Sequence, residues 1–228
     1  RGLLDEQASP AFRLRREVEQ VLLAYPEVAA SCEAGEALEI SLLDVGSGPL
    51  TTVGRVWPTC PALALRVVQL DPLAGPYRRL LLSFGVAEPT LVNGTGEALP
   101  FGNGAFALVY ARNSIDHGDD PVRAIREMLR VSQQTVFLEH YRNEGWHGLY
   151  WGWHHWNFDV DYQKHLILWG RDGSRVDLTR YLEGYADVHV DVVSRGRRPE
   201  VGIPGIKNRE VIYAVIAKQK HAVLGQGA

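Results

Sequence analysis

Short apolar runs recur along the first part of the chain, separated by stretches that are amphipathic or rich in glycine. Continuous apolar runs of this length are typical of strands buried on both faces of a parallel sheet. Five such runs are predicted as strands: residues 40–45, 65–70, 90–93, 105–111 and 135–139. Because helical stretches alternate with them, the pattern predicts right-handed crossovers and a parallel α/β sheet.

Helices are predicted where apolar residues recur at a spacing of three to four. Residues 10–25 form one such stretch, with Ser9 as the cap and Pro10 in the first turn. Residues 120–130 form another, capped by Asp120. The connection between the first two strands contains Gly54, Pro58 and Pro61, which leaves room only for a brief helix and irregular chain.

The last third of the chain has the alternation of antiparallel strands. Residues 165–169 and 174–178 flank a glycine-containing turn and predict a hairpin, followed by a short helix over 177–182. Two further strands are predicted at Ala186–Ser194 and Glu210–Lys218, joined by a long connection through residues 201–208. No repeat or low-complexity tract interrupts the chain, so one domain over residues 1–228 is expected.

Charge and cysteine content exclude several classes of protein. The formal net charge is -3, which disfavours a protein that binds the nucleic-acid backbone, and the arginines at 195, 197 and 198 are expected in a solvated loop. No apolar run reaches the roughly 18 residues of a membrane span. Cys32 and Cys60 are interpreted as two separate thiols which, with no recognisable signal peptide, predict a cytoplasmic protein.

The first predicted strand ends in a glycine-containing bend that runs from Asp44 to Leu50. Gly46 and Gly48 let the backbone turn tightly and approach a ligand closely. Asp71 follows the second strand, near the spacing of about 20 residues at which nucleotide-binding α/β units place a ribose-binding carboxylate. These two features alone fit a nicotinamide cofactor as well as S-adenosylmethionine.

A third stretch, Gly94-Thr-Gly-Glu-Ala-Leu-Pro-Phe101, follows the third strand. With the Asp44-Val-Gly-Ser-Gly48 bend before it and Arg112-Asn-Ser114 after the fourth strand, it resembles the class I S-adenosylmethionine-dependent methyltransferases, in the subgroup with a Gly-x-x-Glu-x-Leu-Pro-Phe motif. The resemblance covers about residues 40–140. It implies a Rossmann-like three-layer α/β sandwich with a seven-stranded, mostly parallel sheet whose last strand is antiparallel.

The resemblance also implies roles for particular residues. Gly46, Ser47 and Gly48 would line the methionine part of the cofactor, with Asp44 near its amino group. The expected contacts to the rest of the cofactor come from the ends of the later strands: Asp71 and Pro72 at the ribose, Gly96 and Glu97 at the adenine, and Arg112, Asn113 and Ser114 beside the methyl group. This chain departs from the family pattern at Leu50 and Thr95, where a glycine and an aspartate are usual.

Histidines are the candidate bases for a transfer to oxygen, because their pKa lies near neutrality. His117 and His140 follow the fourth and fifth strands and are the predicted catalytic residues, with His154 and His155 as further candidates. Glu139, His140 and Asp116 can also hold a divalent cation, but the sequence favours no metal. The aromatic-rich insertion over residues 141–182 is expected to form a lid over the acceptor, or else to pack its tryptophans into the core.

The sequence therefore predicts a methyltransferase acting on a small-molecule or glycan acceptor, with oxygen as the favoured acceptor atom. Two alternatives stay open. A non-catalytic scaffold would bind S-adenosylmethionine without turnover. An oxidoreductase dependent on nicotinamide is less favoured, because no tyrosine has the lysine four residues later that short-chain dehydrogenases use.

Overall fold

The computed structural model describes residues 12–86, 90–147, 153–194 and 210–219. Within these ranges the α-helices are α1 (Arg16–Leu23), α2 (Pro26–Ala34), α3 (Ala74–Ser83), α4 (Pro121–Val131), α5 (Glu144–His147) and α6 (Leu178–Tyr181), and a 3-10 turn covers Ile115–His117. The strands are β1 (Leu38–Val45), β2 (Leu63–Asp71), β3 (Leu91–Asn93), β4 (Phe106–Arg112), β5 (Ser132–Tyr141), β6 (Trp156–Val160), β7 (Leu166–Gly170), β8 (Arg175–Asp177), β9 (Ala186–Ser194) and β10 (Glu210–Lys218).

The central sheet has seven strands in the order β3-β2-β1-β4-β5-β10-β9. Strands β1 to β5 pair in parallel, whereas β10 is antiparallel to both of its neighbours, β5 and β9. The predicted Rossmann-like fold, with a mostly parallel sheet and an antiparallel last strand, is confirmed. The order reverses between β1 and β4, and the carboxyl ends of strands at such a switch point are where α/β sheets bind ligands.

Apolar side chains pack on both faces of this sheet and make three layers. On one face α4 buries Ile125, Met128 and Leu129, and the carboxylate of Asp120 caps the helix by accepting the N–H of Arg123 at 2.9 Å, as predicted. On the other face α1 and α2 pack their buried residues against β1, β4 and β5. No helix in the described part of the chain is long and apolar enough to cross a membrane.

The first helix begins later than predicted. The described chain from Phe12 is extended, and α1 begins only at Arg16. The backbone N–H groups of Leu14 and Arg15 donate to carbonyls of the β1–β2 connection, at 2.7 Å and 2.9 Å. These bonds to a distant segment replace the helical ones, which is why the prediction of a helix over 10–25 was wrong at its start. Ser9 and Pro10 lie outside the described residues.

The β1–β2 connection contains no helix in the structure, so the brief helix predicted there is wrong. Gly54 has a positive φ of 98°, and a Cβ at this position would overlap the backbone of Arg13 and Leu14. The connection is therefore irregular chain that packs closely against, and hydrogen-bonds to, the segment leading into α1. Trp57 from this connection is buried at 2% exposure, where it completes the core under α1.

Cys32 and Cys60 are joined in a disulfide, so the expectation of two separate thiols is wrong. Cys32 lies in α2 and Cys60 lies in the loop before β2, and their Cα atoms are 5.1 Å apart. That separation is within the range that a disulfide spans. The argument for a cytoplasmic location from separate thiols therefore loses its basis.

The insertion after β5 folds into a second, three-stranded antiparallel sheet in the order β6-β7-β8. The predicted hairpin is confirmed as β7 and β8, and the short helix after it as α6. Phe158, Leu166 and Leu168 from this sheet join the same core as α4. Residues 148–152 of the aromatic stretch, the arginines at 195, 197 and 198 and the connection at 201–208 lie outside the described residues.

Candidate functional site

The glycine bend after β1 is tied to the end of β2. Gly46 and Gly48 both have a φ of 68°, a left-handed conformation that glycine adopts without steric cost. The N–H groups of Gly46 and Ser47 donate to the carbonyl of Leu70, and the N–H of Gly48 donates to Oδ2 of Asp71 at 3.0 Å. The structure thus brings the two predicted cofactor elements into direct contact at adjacent strand ends.

Asp71 is the last residue of β2 and is 7% exposed. Its Oδ1 also accepts the N–H of Leu73 at 2.8 Å. A carboxylate has about four acceptor positions, so two positions are left after the bonds to Gly48 and Leu73. These positions can accept two vicinal hydroxyls, as the ribose role implied by the resemblance requires.

A cleft of about 440 Å³ opens beside this bend, at the carboxyl edge of the sheet. Its walls come from the ends of β1 to β4 and from the turn before α4. Six residues with a predicted role lie in its lining: Gly46, Pro72, Gly96, Glu97, Ser114 and His117. The three motifs that are separate in sequence therefore line one cleft.

A smaller cavity of about 250 Å³ lies on the other side of Gly46. The predicted residues in its lining are Asp44, Gly46, Ser47, Arg112 and Asn113, joined by Thr52 and Tyr141. Because Gly46 lines both, the two spaces meet at the glycine bend. The two spaces suit a ligand whose two halves are joined at one atom, with one half in the cleft and the other in the smaller cavity.

Asp44 forms a buried acidic wall of the smaller cavity. Its carboxylate accepts the hydroxyl of Thr51 at 2.6 Å and is 2% exposed. Burial raises the pKa of Asp44 to about 6, although the hydroxyl of Thr51, the backbone of Thr52 and the charges of Arg112 and Arg15 act to lower it. Near neutral pH this group carries a negative charge that a bound ammonium would stabilise.

Glu97 lines the larger cleft and holds the turn before α4. Its Oε1 accepts the N–H of Asp119 at 3.1 Å and that of Asp120 at 3.5 Å. A Cβ on Gly118 would overlap this carboxylate, so the turn must approach it closely. Glu97 therefore shapes the wall of the cleft at the position where the resemblance implies the adenine.

Arg112 is held by Glu139 at the floor of the smaller cavity. The carboxylate of Glu139 is bonded by Arg112 Nε at 3.1 Å, by Arg15 Nη2 at 2.8 Å and by the hydroxyl of Tyr110 at 2.9 Å. Burial lowers the pKa of Arg112, but the nearby Glu139, Tyr110 and Tyr141 together raise it by more, so the guanidinium stays charged. The two arginines place positive charge beside the negative charge of Asp44.

Asn113 and Ser114 turn the chain sharply after β4. Asn113 has a φ of 48°, and the hydroxyl of Ser114 donates to the carbonyl of Val45 at 2.9 Å. This bond holds the loop after β4 directly over Gly46. Ser114 therefore lies at the junction of the two cavities, beside the position expected for the reacting group.

The two predicted catalytic histidines have different surroundings. His117 lines the larger cleft, and burial lowers its pKa. His140 is 2% exposed and lines neither cavity, because its ring stacks on Phe158 with centroids 3.9 Å apart. Burial lowers the pKa of His140 to about 4, so its ring is neutral. This geometry suits His140 to positioning a neighbour rather than to contacting an acceptor.

The residue that His140 contacts is Asp116, whose side chain is 2% exposed and surrounded by imidazole rings. Its Oδ2 lies 2.5 Å from Nδ1 of His154, and its Oδ1 lies 3.5 Å from Nδ1 of His140. Burial raises the pKa of Asp116, but the hydrogen bond to His154 and the other histidines lower it by more. The same hydrogen bond raises the pKa of His154.

Some contributors to the site carried no readable sequence signal. Arg15 reaches Glu139 across 124 positions of sequence, and the approach of His154 to Asp116 spans 38 positions. Thr51 and Thr52, a polar pair shortly after the glycine bend, were the one available hint of a partner for Asp44.

A separate groove of about 860 Å³ lies between α1 and the strands β5, β9 and β10, and none of the predicted site residues line it.

Residues 43–138 match a family profile described as a methyltransferase domain. The match supports S-adenosylmethionine as the cofactor. The matched stretch contains Asp71 and the elements that line the two cavities: the glycine bend, the stretch after β3 and the turn before α4. No curated protein sequence matches the chain at a significant level.

Solved structures share the fold. The YcgJ protein of Bacillus subtilis is 13% identical, with 85% of this chain and 98% of that chain covered and a TM-score of 0.53. A methyltransferase of Thermotoga maritima described as a possible histamine N-methyltransferase is 15% identical, with coverages of 83% and 87% and a TM-score of 0.47. The 1,6-didemethyltoxoflavin-N1-methyltransferase of Burkholderia thailandensis, solved with S-adenosylhomocysteine, is 13% identical, with coverages of 90% and 77% and a TM-score of 0.44. Of these three, the first supports the Rossmann-like fold.

Proposed function

We propose that this protein transfers a methyl group from S-adenosylmethionine to an oxygen atom of a small-molecule or glycan acceptor. The observation that carries the proposal is the bond from Gly48 to Asp71 at the edge of a cleft that all three motifs line. This bond connects two elements. One is the backbone bend expected at the methionine moiety, and the other is the carboxylate expected at the ribose.

The residues present fit the cofactor. A Cβ on Gly48 would meet no atom within 4 Å, so the bend faces open space rather than packed side chains. Asp44 and the arginine at 112 offer opposite charges to the ammonium and carboxylate of a methionine moiety. Asp71, Pro72 and Glu97 would hold the adenosine moiety. When bound, the cofactor supplies a methyl group already activated by the positive sulfur.

The protein's own part in catalysis is chiefly alignment. Ser114 is held over Gly46 by its bond to Val45, and this fixes the loop between the two cavities. Holding the two reactants in line converts a bimolecular step into an effectively unimolecular one. An oxygen acceptor also has a proton to lose, and the histidines gathered at Asp116 beside the cleft are suited to that role.

We expect the acceptor to contact the insertion at residues 141–182. Trp146 and Trp153 are 59% and 75% exposed, so their rings are open to contact with a ligand. Trp146 also packs against Trp169, with centroids 5.9 Å apart. Such rings stack on flat or sugar-like molecules, so a cyclic acceptor fits this surface. Closure of the insertion over the cleft stays a prediction.

The test is transfer of label from methyl-tritiated S-adenosylmethionine to a panel of phenols, catechols, hydroxy acids and sugars. We expect a labelled product for at least one cyclic hydroxyl compound, with a mass increase of one methyl group. S-adenosylhomocysteine should raise the melting temperature, while NADH should not. Binding of S-adenosylhomocysteine without label transfer to any compound would favour a scaffold, and stabilisation by NADH alone would contradict the proposal.

A further inference from the structure

Three imidazoles surround the carboxylate of Asp116, at one side of the larger cleft. His154 Nδ1 and His117 Nε2 lie 2.5 Å and 3.8 Å from Oδ2, and His140 Nδ1 lies 3.5 Å from Oδ1. The rings of His117 and His154 meet edge to face, with centroids 4.7 Å apart. These groups come from the 3-10 turn after β4, from β5 and from the chain before β6, so the fold itself assembles them.

Several polar atoms of this cluster are buried without a hydrogen-bond partner. Among the described residues, Asp116 Oδ1, His117 Nε2 and His140 Nε2 make no such bond. A buried polar atom left unpaired costs about 1–3 kcal/mol, and such atoms are few in native proteins. The unpaired His117 Nε2 faces Asp116 Oδ2 at 3.8 Å, which points to a missing partner that accepts electron pairs from both.

The positions of the ligand atoms match those around a metal ion. One ligand atom each from Asp116, His117 and His154 lies within 4.8 Å of the others. Imidazole and carboxylate ligands bind zinc at about 2.0–2.2 Å, which sets neighbouring ligand atoms about 3 Å apart. The observed separations from Asp116 Oδ2 bracket this value, so shifts of about 1 Å suffice. Two imidazoles with one carboxylate suit zinc, cobalt, iron or nickel rather than magnesium.

We propose that Asp116, His117 and His154 bind one divalent transition-metal ion, of the zinc or cobalt type, beside the cleft. The three protein ligands leave a coordination position open, as in catalytic rather than structural zinc sites. His140 lies behind Asp116 and is a positioning residue, since its Nδ1 faces Oδ1 and its ring is fixed on Phe158. Partners of this kind orient metal ligands in other sites.

The role of the ion deepens the proposed function and rests on it. His117 lines the cleft and its Nε2 is buried behind that wall, so an ion there would lie directly beneath the space where an acceptor binds. A divalent ion lowers the pKa of a hydroxyl oxygen that it binds, so the proton passes to solvent at neutral pH and the ligated imidazoles are not needed as bases. The acceptor class implied is a molecule with a hydroxyl that can bind a metal, such as a phenol, catechol or hydroxy acid.

A second group with metal-ligand spacing, Asp161, His165 and Asp177, is explained without an ion. Asp161 Oδ1 accepts the N–H groups of Gln163 and His165, and Asp177 caps α6. His165 Nδ1 bonds Asp177 Oδ2 at 2.8 Å. All of these atoms are already paired, whereas His117 Nε2 of the proposed site is not, so this group is the natural control.

The test is a cobalt titration of the tag-free protein after removal of metals with EDTA. Visible absorption bands should appear and saturate at one equivalent of Co²⁺, and Zn²⁺ should displace them. His117→Ala and His154→Ala should weaken binding by about 100-fold or more, since loss of even an outer partner of a ligand costs about 10–100-fold. The exposed neighbour His155→Ala and the second-group variant His165→Ala should bind as the wild type does.

Circular dichroism and melting temperature establish that the variants fold, and both histidines replaced are partly exposed, which favours folding. Absence of the bands in the wild type, or their loss in His165→Ala rather than in His154→Ala, would overturn the site. Binding of S-adenosylhomocysteine is measured on the same samples. If it persists while cobalt does not bind, the metal site fails alone; if cobalt binds but S-adenosylhomocysteine does not, the proposed function fails alone.

Discussion

The hydroxyl of Thr51 donates a hydrogen bond of 2.6 Å to the buried carboxylate of Asp44, across the turn that the glycine bend creates. Asp44 lines the smaller cavity together with Ser47 and Asn113. A carboxylate in this position is held ready for a cation but is costly to ionise in its absence, because burial raises its pKa to about 6. The ionisation of this one group therefore links cofactor binding to pH.

The affinity for S-adenosylhomocysteine should fall below pH 6. Protonation of Asp44 removes the negative charge opposite the ligand's ammonium, so each pH unit below the pKa costs up to about tenfold in affinity. Calorimetry between pH 5 and pH 7.5 measures this slope. Asp44→Asn should bind more weakly at pH 7 and show a flat profile; a wild-type affinity that does not change with pH would count against the role of Asp44.

The stability of the ligand-free protein should change in the opposite direction. The pKa of Asp44 is raised from 3.8 to about 6 in the folded state, so the unfolded chain loses this proton first as the pH rises. The contribution to stability is present below about pH 4 and is lost by pH 6–7, at about 3 kcal/mol. Urea denaturation of the wild type and Asp44→Asn should show this difference, and parallel pH profiles for the two proteins would contradict it.

Replacing Gly46 or Gly48 by alanine should distinguish the cost of steric overlap with Ser114 from the cost of backbone strain. Both positions have a φ of 68°, which costs an alanine about 1–2 kcal/mol. A Cβ at Gly46 also overlaps the side chain of Ser114, whereas a Cβ at Gly48 meets nothing within 4 Å. Gly46→Ala should therefore lower the free energy of unfolding by about 1–3 kcal/mol more than Gly48→Ala. Equal losses in urea denaturation would show that Ser114 does not pack over the bend.

Removal of the carboxylate of Glu139 should be more harmful than removal of either arginine that it binds. Glu139→Ala leaves the guanidinium groups of Arg15 and Arg112 and the hydroxyl of Tyr110 without their acceptor, and should cost about 3–5 kcal/mol. Arg15→Ala leaves Glu139 paired with Arg112 and should cost less. Denaturation curves of the two variants decide between this order and the reverse, which would mean that Arg15 is the main support of the network.

The elements that the sequence predicted well are those whose signals are local. Both β9 and β10 have the predicted bounds, and Asp120 caps α4 as its position before Pro121 implies. The extended start of the chain was missed because bonds from Leu14 to a segment about 40 residues away replace helical ones. A local pattern carries no information about such a partner.

The candidate site also contains some features that the sequence predicted and others that it did not. The three motifs that meet at Gly46 were readable because each follows a strand of a parallel sheet, and strand ends share an edge. The disulfide between Cys32 and Cys60 and the gathering of His154 at Asp116 were not readable as pairs, because helix and loop packing bring them together. Burial also distinguishes His140 from His117, a difference that the sequence did not show.

Isothermal titration of S-adenosylhomocysteine into the wild type and Asp71→Asn is the most direct test of the central claim. Asp71 should bond both ribose hydroxyls, so its loss should weaken binding by about 100-fold, which corresponds to about 3 kcal/mol. Asp191→Asn, at an exposed position on β9, should bind as the wild type does. A wild type that does not bind, or an Asp71→Asn variant that binds equally well, would contradict the assignment of the cleft to this cofactor.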